Sequence, residues 1–587
     1  MTQPTESVPT TEQAPQIQPA PALRRAALEA RYPRWRPRAI HEWLLAVVAE
    51  FPEREFIVTD EHAFSYREIA ARVGRMAAGL AARGVRRGDH VAVLLGNRPE
   101  YVVAKYALSR LGAVMVPLNV RFRRDELAFV LRHSRASALL TVTGLGGLDH
   151  LDLLDQIAPG WAAGGRLAAL PDLRLVVQLP AETPARPGVV RLAEVEATPG
   201  VAELGPGPGP DDISLIFYTS GTTGAPKGVL WTHDQDARLG LGGALTRAFG
   251  DGWRVQSALP LFHSFANNEV LNATMFAAGA VILRPSFAPV DFLGAIERHR
   301  PDELVTVPTM VVALCEAAAA RHRQGPPVTG LMCAGAMAPV WLWERAVRLL
   351  GAREGTTGYG MTETGGGPVM SRPEDGIAFV ASTVGRPKYG GPAGVPELGG
   401  HLAEVRTVDP RTGAPLPEGE EGELVSRGPT NAVGYWELPA ETARTFRDGW
   451  VHTGDLGRVR PDGAIVLTGR TKELIRSGGE NVAPKEVEDV LTAHPAISQA
   501  FVVGVPDERW GEVGCAWLVL ESGASLTADE VLALCRERLA GFKRPRAVRF
   551  IAAEDLPTTP TGKVQKFRLS EMAAGRDAEA RPASNGS

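Results

Sequence analysis

The chain has 587 residues, 44% hydrophobic and 22% charged, with a formal net charge of −4 and a pI near 6.4. That is ordinary globular composition, and its weak acidity excludes the basic footprint of a nucleic-acid-binding protein. Four cysteines, Cys315, Cys333, Cys515 and Cys535, are too few for a disulfide scaffold and form no CxxC pair, which argues against a cysteine zinc site and for reduced, intracellular thiols.

The first twenty residues, "MTQPTESVPTTEQAPQIQPA", lack both a basic residue and an apolar middle, so neither a signal peptide nor a transit peptide is expected. Residues 1–30 read as a disordered tail, and so do residues 571–587, which include "RDAEARPASNGS". No apolar run reaches the roughly 18 residues of a spanning helix, so a cytoplasmic protein without a transmembrane segment is expected. From His90, "HVAVLLGNRPEYVVAKYALSRLGAVMVPLNV" reads as strand, loop, helix and strand, and "DELAFVLRHSRASALLTV" repeats the pattern. Such alternation predicts an α/β fold with a mostly parallel, helix-covered sheet.

After a linker, "GPGPGPDD", comes a continuous apolar run, "ISLIFYTS", which suits a buried strand. A helix is expected to start near Thr232, with that threonine as its cap. Further strands are predicted in "VQSALPLF", "AVILRP", "ELVTVP" and "GLMCAGA", and helices in "VDFLGAIERHR" and "VWLWERAVRLL". From about residue 400, "AEVRTVDPRTGAPLPEGEEGELVSRGP" suits a small antiparallel β unit. Beyond "LTGRTKELIRSGGENVAP", a compact α+β domain of about 100 residues is expected.

The stretch "YTSGTTGAPKGV", residues 218–229, is poor helix and poor strand. Its glycines let backbone N–H groups turn toward an anion, its hydroxyls add donors, and Lys227 adds a charge. Pro226 before the lysine and Gly228 after it break the G-x-x-x-x-G-K-[ST] pattern, so a P-loop GTPase or kinase is disfavoured.

This stretch resembles the phosphate loop of the adenylate-forming (AMP-binding) superfamily, which includes acyl-CoA synthetases, peptide-synthetase adenylation domains and beetle luciferase. Further segments match in the family's order: "PLFHSF", "CAGAMAP", "YGMTE", "GWVHTGD", "GRTKELIRSGGENVAPKEVE" and "TTPTGKVQK". The resemblance covers residues 35 to 570. It implies a large N-terminal domain over residues 31–469 with the acyl and ATP sites, and a mobile C-terminal domain over residues 470–570. It also implies a two-step reaction: a carboxylate attacks the α-phosphate of ATP, releasing pyrophosphate, and a thiol then displaces AMP.

The resemblance assigns the phosphates to Thr219, Ser220, Gly221, Thr222, Thr223, Gly224 and Lys227, the α-phosphate to Thr362 and Mg²⁺ to Glu363. Tyr359 would stack on adenine, with Gly335 and Ala336 close to the base. Asp455 and Arg470 would hold the ribose. Lys563 would reach the carboxylate and α-phosphate together in the first step. Lys472 would be the hinge of a rotation that brings Ser477, Gly478 and Gly479 to coenzyme A for the second. A lone histidine is more often a packed core residue, but the resemblance makes His263 a catalytic residue beside the acyl pocket.

The pocket itself is expected to draw on Phe265, Asn267, Asn268 and the glycine-rich "TGGGPVM", including Gly365, which would leave space for a bulky or long acyl group. "RSGGENVAPKEVE" is similar to fatty-acyl and aryl-CoA synthetases, so a stand-alone ligase for a fatty, cyclic or aromatic carboxylic acid is expected. One departure is a longer segment after Pro387, "KYGGPAGVPELGGHLAE". It reads as a surface loop, or as a restraint on the small domain such as an acyl-AMP ligase uses when it loads an acyl carrier protein. A third reading, a non-catalytic homologue acting as a binding module, sits poorly with the presence of Lys563, Glu363 and Asp455.

Overall fold

The structure, a computed structural model, describes residues 18–145, 147–163, 167–179, 187–198, 204–219, 226–321, 327–470, 473–477, 480–507, 510–539, 541–559 and 564–579. The alternating apolar segments assemble into two large sheets. One has the spatial order Gly434–Tyr435, Lys227–Thr232, Ile213–Thr219, Val114–Pro117, His90–Leu94, Ala138–Thr141, Leu175–Gln178 and Val190–Arg191. It is parallel from Ile213–Thr219 outward, and antiparallel across the Ile213–Thr219/Lys227–Thr232 hairpin and its neighbour Gly434–Tyr435. The other runs Glu354–Thr356, Gly330–Cys333, Glu303–Thr306, Arg254–Ser257, Ala280–Leu283, Glu55–Val58 and Ala63–Ser65, parallel except at the last pair.

The main core joins both sheets through the helices Tyr66–Ala82, Pro99–Leu111 and His233–Thr246. The period of two along a strand decides which side chains enter it. In Ile213–Thr219, Leu215 and Phe217 face this core, while Ile216 faces a second core on the far side of the sheet. Thr232 caps His233–Thr246 as expected: its hydroxyl accepts from the Gln235 N–H at 3.2 Å in a capping box.

A five-stranded antiparallel unit holds Glu404–Val408, Gly422–Arg427, Phe446–Arg447, Trp450–Val459 and Ile465–Arg470. Arg470 pairs with Asp455 here, so it stays with the large domain rather than opening the small one. The C-terminal sheet buries both faces. Val502, Ala516 and Leu518 pack under helices Pro484–Thr492 and Ala528–Arg538, and Val503, Cys515 and Trp517 under helix Lys566–Glu579.

Each expected tail contains helical residues. A helix spans Pro21–Arg31, whose Arg24 and Leu28 are buried four residues apart. Arg24 donates to the Ala248 carbonyl at 2.6 Å and to Glu354 at 2.5 Å. At the other end, helix Lys566–Glu579 runs into the segment expected to be disordered. Mixed charge and small residues concealed both helices, because their stability comes from docking rather than propensity.

The segment after Pro387 folds onto the large domain. The Lys388 N–H donates to the Pro368 carbonyl, and the Lys388 carbonyl accepts from the Leu402 N–H. The Tyr389 carbonyl accepts from the Thr246 hydroxyl at 3.1 Å, and the Tyr389 hydroxyl donates to Glu29 at 2.5 Å.

Lys388 also begins a buried ionic chain. Its ammonium lies 2.5 Å from Glu269, which lies 3.2 Å from Arg247, which lies 3.0 Å from Glu303. Two cations and two anions alternate, and Trp253 completes the chain by donating to Glu303 at 3.3 Å. Burial pulls the Lys388 ammonium below its ordinary range and pushes the Glu303 carboxyl above its own, so each charge depends on its neighbours. Arg247→Met is expected to destabilise the large domain by about 3–5 kcal/mol, the cost of breaking a buried pair. Denaturant unfolding followed by tryptophan fluorescence measures it, and a midpoint equal to that of the wild type would contradict the chain's role.

Candidate active site

In an open parallel sheet, the loops that leave the carboxyl ends of the strands gather on one side, and ligands bind there. In the seven-stranded sheet, Arg254–Ser257 leads to His263, Glu303–Thr306 to Val307, Gly330–Cys333 to Gly335 and Ala336, and Glu354–Thr356 to Tyr359. Parallel pairing thus brings together four loops, three of them carrying motifs, spread over about a hundred residues of sequence. Gly335 has φ +87, and a Cβ there would stand 3.4 Å from Val307; Gly335 and Ala336 are both exposed.

The hairpin supplies the facing wall. Thr219 and Lys227 are paired where its two strands approach the loop. Ser220, Gly221, Thr222, Thr223 and Gly224 lie outside the described residues, as do Lys472, Gly478, Gly479 and Lys563. The Lys227 ammonium lies 2.5 Å from Glu441 and 5.1 Å from the centre of the Tyr435 ring. Tyr435 pairs with Val229 across the sheet, and its hydroxyl donates to Glu363 at 2.7 Å. Glu363 is buried, and that burial pushes its carboxyl above the usual range, opposed by the Tyr435 hydrogen bond and the Lys227 charge. Burial likewise lowers Lys227, with Glu363 pulling the other way.

Thr362 opens a short 3₁₀ turn, Thr362–Thr364, ended by Gly365 at φ +84. The Trp231 indole N–H donates to the Thr362 carbonyl at 2.9 Å, and the Ser264 and Thr362 hydroxyls stand 3.5 Å apart. His263 accepts from the Phe265 N–H through Nδ1 at 3.3 Å, so in the neutral ring Nε2 carries the proton. At the other end of the site, the Tyr359 hydroxyl donates to Asp455 at 2.7 Å, and Arg470 lies 2.6 Å from the second Asp455 oxygen. Arg470 also stands 3.9 Å from Glu473, which Lys566 reaches at 3.4 Å, so both domains grip the flank of the expected hinge. Ser477 is buried and ends the strand Ile475–Ser477.

The metal expectation meets a simple test. Among the described residues, no group of three His, Cys, Asp or Glu side chains stands ready to hold a metal ion. Glu363 offers one carboxylate beside the phosphate hairpin, which fits Mg²⁺, an ion that keeps waters and shares substrate phosphate oxygens.

Two pocket expectations need correction. Asn267 does not line an open space: it is fully buried, with its amide spent on Lys105 and Asp236. Gly365 leaves no room either, since a Cβ there would meet the Thr430 carbonyl at 2.4 Å. The glycine serves its backbone conformation and this close approach. Asn268 is also buried, yet it borders the 365–367 stretch by donating to the Gly365 carbonyl at 2.9 Å; Phe265 is half-buried against the core. Sequence reasoning missed Tyr435, Glu441, Ser264 and Trp231. Only Ser264 and Trp231 lay near a motif, and "VGYWELPAET" gives no sign that it returns to the distant hairpin.

Residues 44–436 match the model of the AMP-binding enzyme family, and residues 486–563 that of the AMP-binding enzyme C-terminal domain. The chain belongs to the AMP-binding enzyme family. It is similar to a feruloyl-CoA synthase of Amycolatopsis sp, with 37% identity over 86% of this chain and 93% of that protein. A second relative is the 3-[(3aS,4S,7aS)-7a-methyl-1,5-dioxo-octahydro-1H-inden-4-yl]propanoyl:CoA ligase of Mycobacterium tuberculosis, with 34% identity over 91% and 99%. Among solved structures, ATP-bound MatB from Rhodopseudomonas palustris superposes with a TM-score of 0.76 at 29% identity, over 91% of this chain and 98% of that one. This AMP-binding enzyme is an adenylate-forming acid–thiol ligase that uses ATP and coenzyme A. Its relatives are named for coenzyme A, which leaves the carrier-protein acceptor without support. None of its described helices is long and apolar enough to cross a membrane.

Tyr435→Phe removes the hydrogen bond that favours ionised Glu363. The Glu363 carboxyl then rises further, and the acid limb of the pH profile of kcat/KM moves to higher pH. Pyrophosphate exchange measured across pH checks this; an unmoved or lowered limb would count against a cation-holding role for Glu363.

Proposed function

We propose that this ligase activates carboxylic acids whose carboxylate and a bulky ring are separated by a short, two-carbon spacer. The observation that carries this reading is the chemistry shared by the two relatives above. A feruloyl group and an indenyl-propanoyl group both carry a ring system on the third carbon of a three-carbon acid. Straight medium-chain acids are a more distant match, at 30% identity to the medium-chain acyl-CoA ligase of Rattus norvegicus. The carrier-protein acceptor draws no support from the relatives, which are named for coenzyme A.

The residue roles are those that the family resemblance implies, and charge explains the first of them. Carboxylate and triphosphate repel, so the first half-reaction needs positive charge and donors at the α-phosphate. Lys227 and the hydroxyl-rich loop from Thr219 to Gly224 hold the phosphates, and Thr362 meets the α-phosphate. Glu363 holds Mg²⁺, which supplies further neutralisation when bound. Tyr359, Gly335 and Ala336 enclose the base, and Asp455 with Arg470 holds the ribose. Lys563 joins the two anions. After adenylation, rotation about Lys472 brings Ser477, Gly478 and Gly479 to the thiol of coenzyme A. His263 borders the reacting carboxylate.

An acid panel read by mass spectrometry, with ATP, Mg²⁺ and coenzyme A, tests the substrate class. Ferulic, 3-phenylpropanoic and 3-cyclohexylpropanoic acids are expected to exceed octanoic acid in kcat/KM by about tenfold, the scale a well-matched pocket gives. A preference for octanoic acid would refute the ring reading. Separately, Lys563→Ala is expected to abolish acyl-AMP formation while sparing thiolation of a supplied acyl-AMP. Equal loss of both half-reactions would refute the role given to Lys563.

A further inference from the structure

The segment that follows His263 changes helix type. Ser264–Ala266 is α-helical, Asn267–Asn272 is a π-helix, and Ala273–Phe276 is α-helical again. The wider turn is fixed by the Ala273 N–H, which donates to the carbonyl of Asn268, five residues back. π-Helices are rare, and such a wide turn needs specific partners to hold it.

Those partners are present. Asn267 and Asn272 are five positions apart, which on an α-helix puts them about 140° from one another. Here both reach one buried ion pair. Lys105 Nζ lies 2.8 Å from Asp236 and donates to Asn267 Oδ1 at 2.5 Å and to Asn272 Oδ1 at 3.0 Å. Asp236 Oδ1 in turn accepts from Asn267 Nδ2 at 2.7 Å and from Asn272 Nδ2 at 2.8 Å. The ring closes with three polar partners for the ammonium and no need for water. All four residues are at most 2% exposed. Lys105 sits on Pro99–Leu111 and Asp236 on His233–Thr246, two helices of the main core, so the anchors are rigid.

The other side of the same segment faces the reaction site. Ser264 stands 3.5 Å from the Thr362 hydroxyl. Asn268 donates to the Gly365 carbonyl at 2.9 Å. The Glu269 carboxylate lies 3.7 Å from where a Cβ of Gly367 would be. A return of the segment to α-helical register would rotate these three side chains away together.

We propose that Lys105, Asp236, Asn267 and Asn272 form a register clamp. They are positioning residues that hold the π-turn, and so determine which side chains meet the acyl group beside Thr362. The clamp sets acid selectivity without touching the acid. This rests on the reading that the acyl group lies along the segment from Ser264 to Glu269 and the stretch from Gly365 to Gly367.

Asn272→Ala is the main test, because among the described residues the Asn272 side chain bonds only to the Lys105–Asp236 pair and to the Asp236 carbonyl, and to no described site residue. Pyrophosphate exchange gives KM for ATP and for two acids, one ring-bearing and one straight-chain. The KM for acid is expected to rise about tenfold, with the KM for ATP within about twofold and the ratio of kcat/KM between the two acids changed about fivefold, in the range small misplacements produce. Lys105→Met is expected to do the same more strongly. Tyr66→Phe, which removes a buried hydrogen bond to the Gly279 carbonyl, is the control. It is expected to lower Tm and leave all three quantities unchanged. Should Asn272→Ala fail to fold, Asn272→Ser takes its place.

A Tm loss with an unchanged acid ratio would overturn the clamp, and so would parallel changes in both KM values. A wild-type preference for the straight-chain acid would refute the substrate class alone, since the change of ratio in the variants still reads the clamp.

Discussion

The alternating ionic chain Lys388–Glu269–Arg247–Glu303 ties together four separate elements of the large domain. Lys388 comes from the loop after Pro387, Glu269 from the π-helix, Arg247 from the end of the helix His233–Thr246, and Glu303 from a central strand. Charges so deeply buried persist only in mutual contact, since desolvation of any one exceeds what a partial pairing returns. The relative placement of those elements is therefore coupled, and with it the wall of the site that runs from Ser264 through Glu269.

Much of this was legible in the sequence. Local sequence signals gave the central strands of both large sheets, the Thr232 cap and the two-part division of the chain, but not the edge strands or the second strand of the phosphate hairpin. The order of six short motifs gave the family and the two-step chemistry. These succeed because they are local: a run of seven residues specifies a buried strand, and a threonine three residues before a glutamine specifies a cap.

What escaped was non-local. The helix Pro21–Arg31 is held by Arg24 on Ala248 and Glu354, contacts hundreds of residues away in sequence. Tyr435 returns from the antiparallel region to pair with the phosphate hairpin, which nothing in "GYW" announces. Gly365 was read as space and is instead a point of close approach to Thr430. Asn267 was read as pocket wall and is instead an internal anchor. Gly365 and Asn267 were singled out and the third dimension reassigned their tasks, whereas the helix Pro21–Arg31 and Tyr435 gave no local signal at all.

The ion pair between Lys227 and Glu441 has a further meaning for substrate entry. On the phosphate role proposed for Lys227, a lysine whose charge is already matched meets an incoming triphosphate by ion exchange rather than by simple attraction. The favourable Coulomb energy is offset by releasing Glu441, so phosphate capture at this position is closer to thermoneutral than a count of positive charges suggests. The freed glutamate sits on the short helix Pro439–Thr445, next to Arg444 and in the stretch that carries Tyr435. On that proposed role, nucleotide binding exchanges the partner of one carboxylate on the stretch whose Tyr435 hydroxyl holds Glu363.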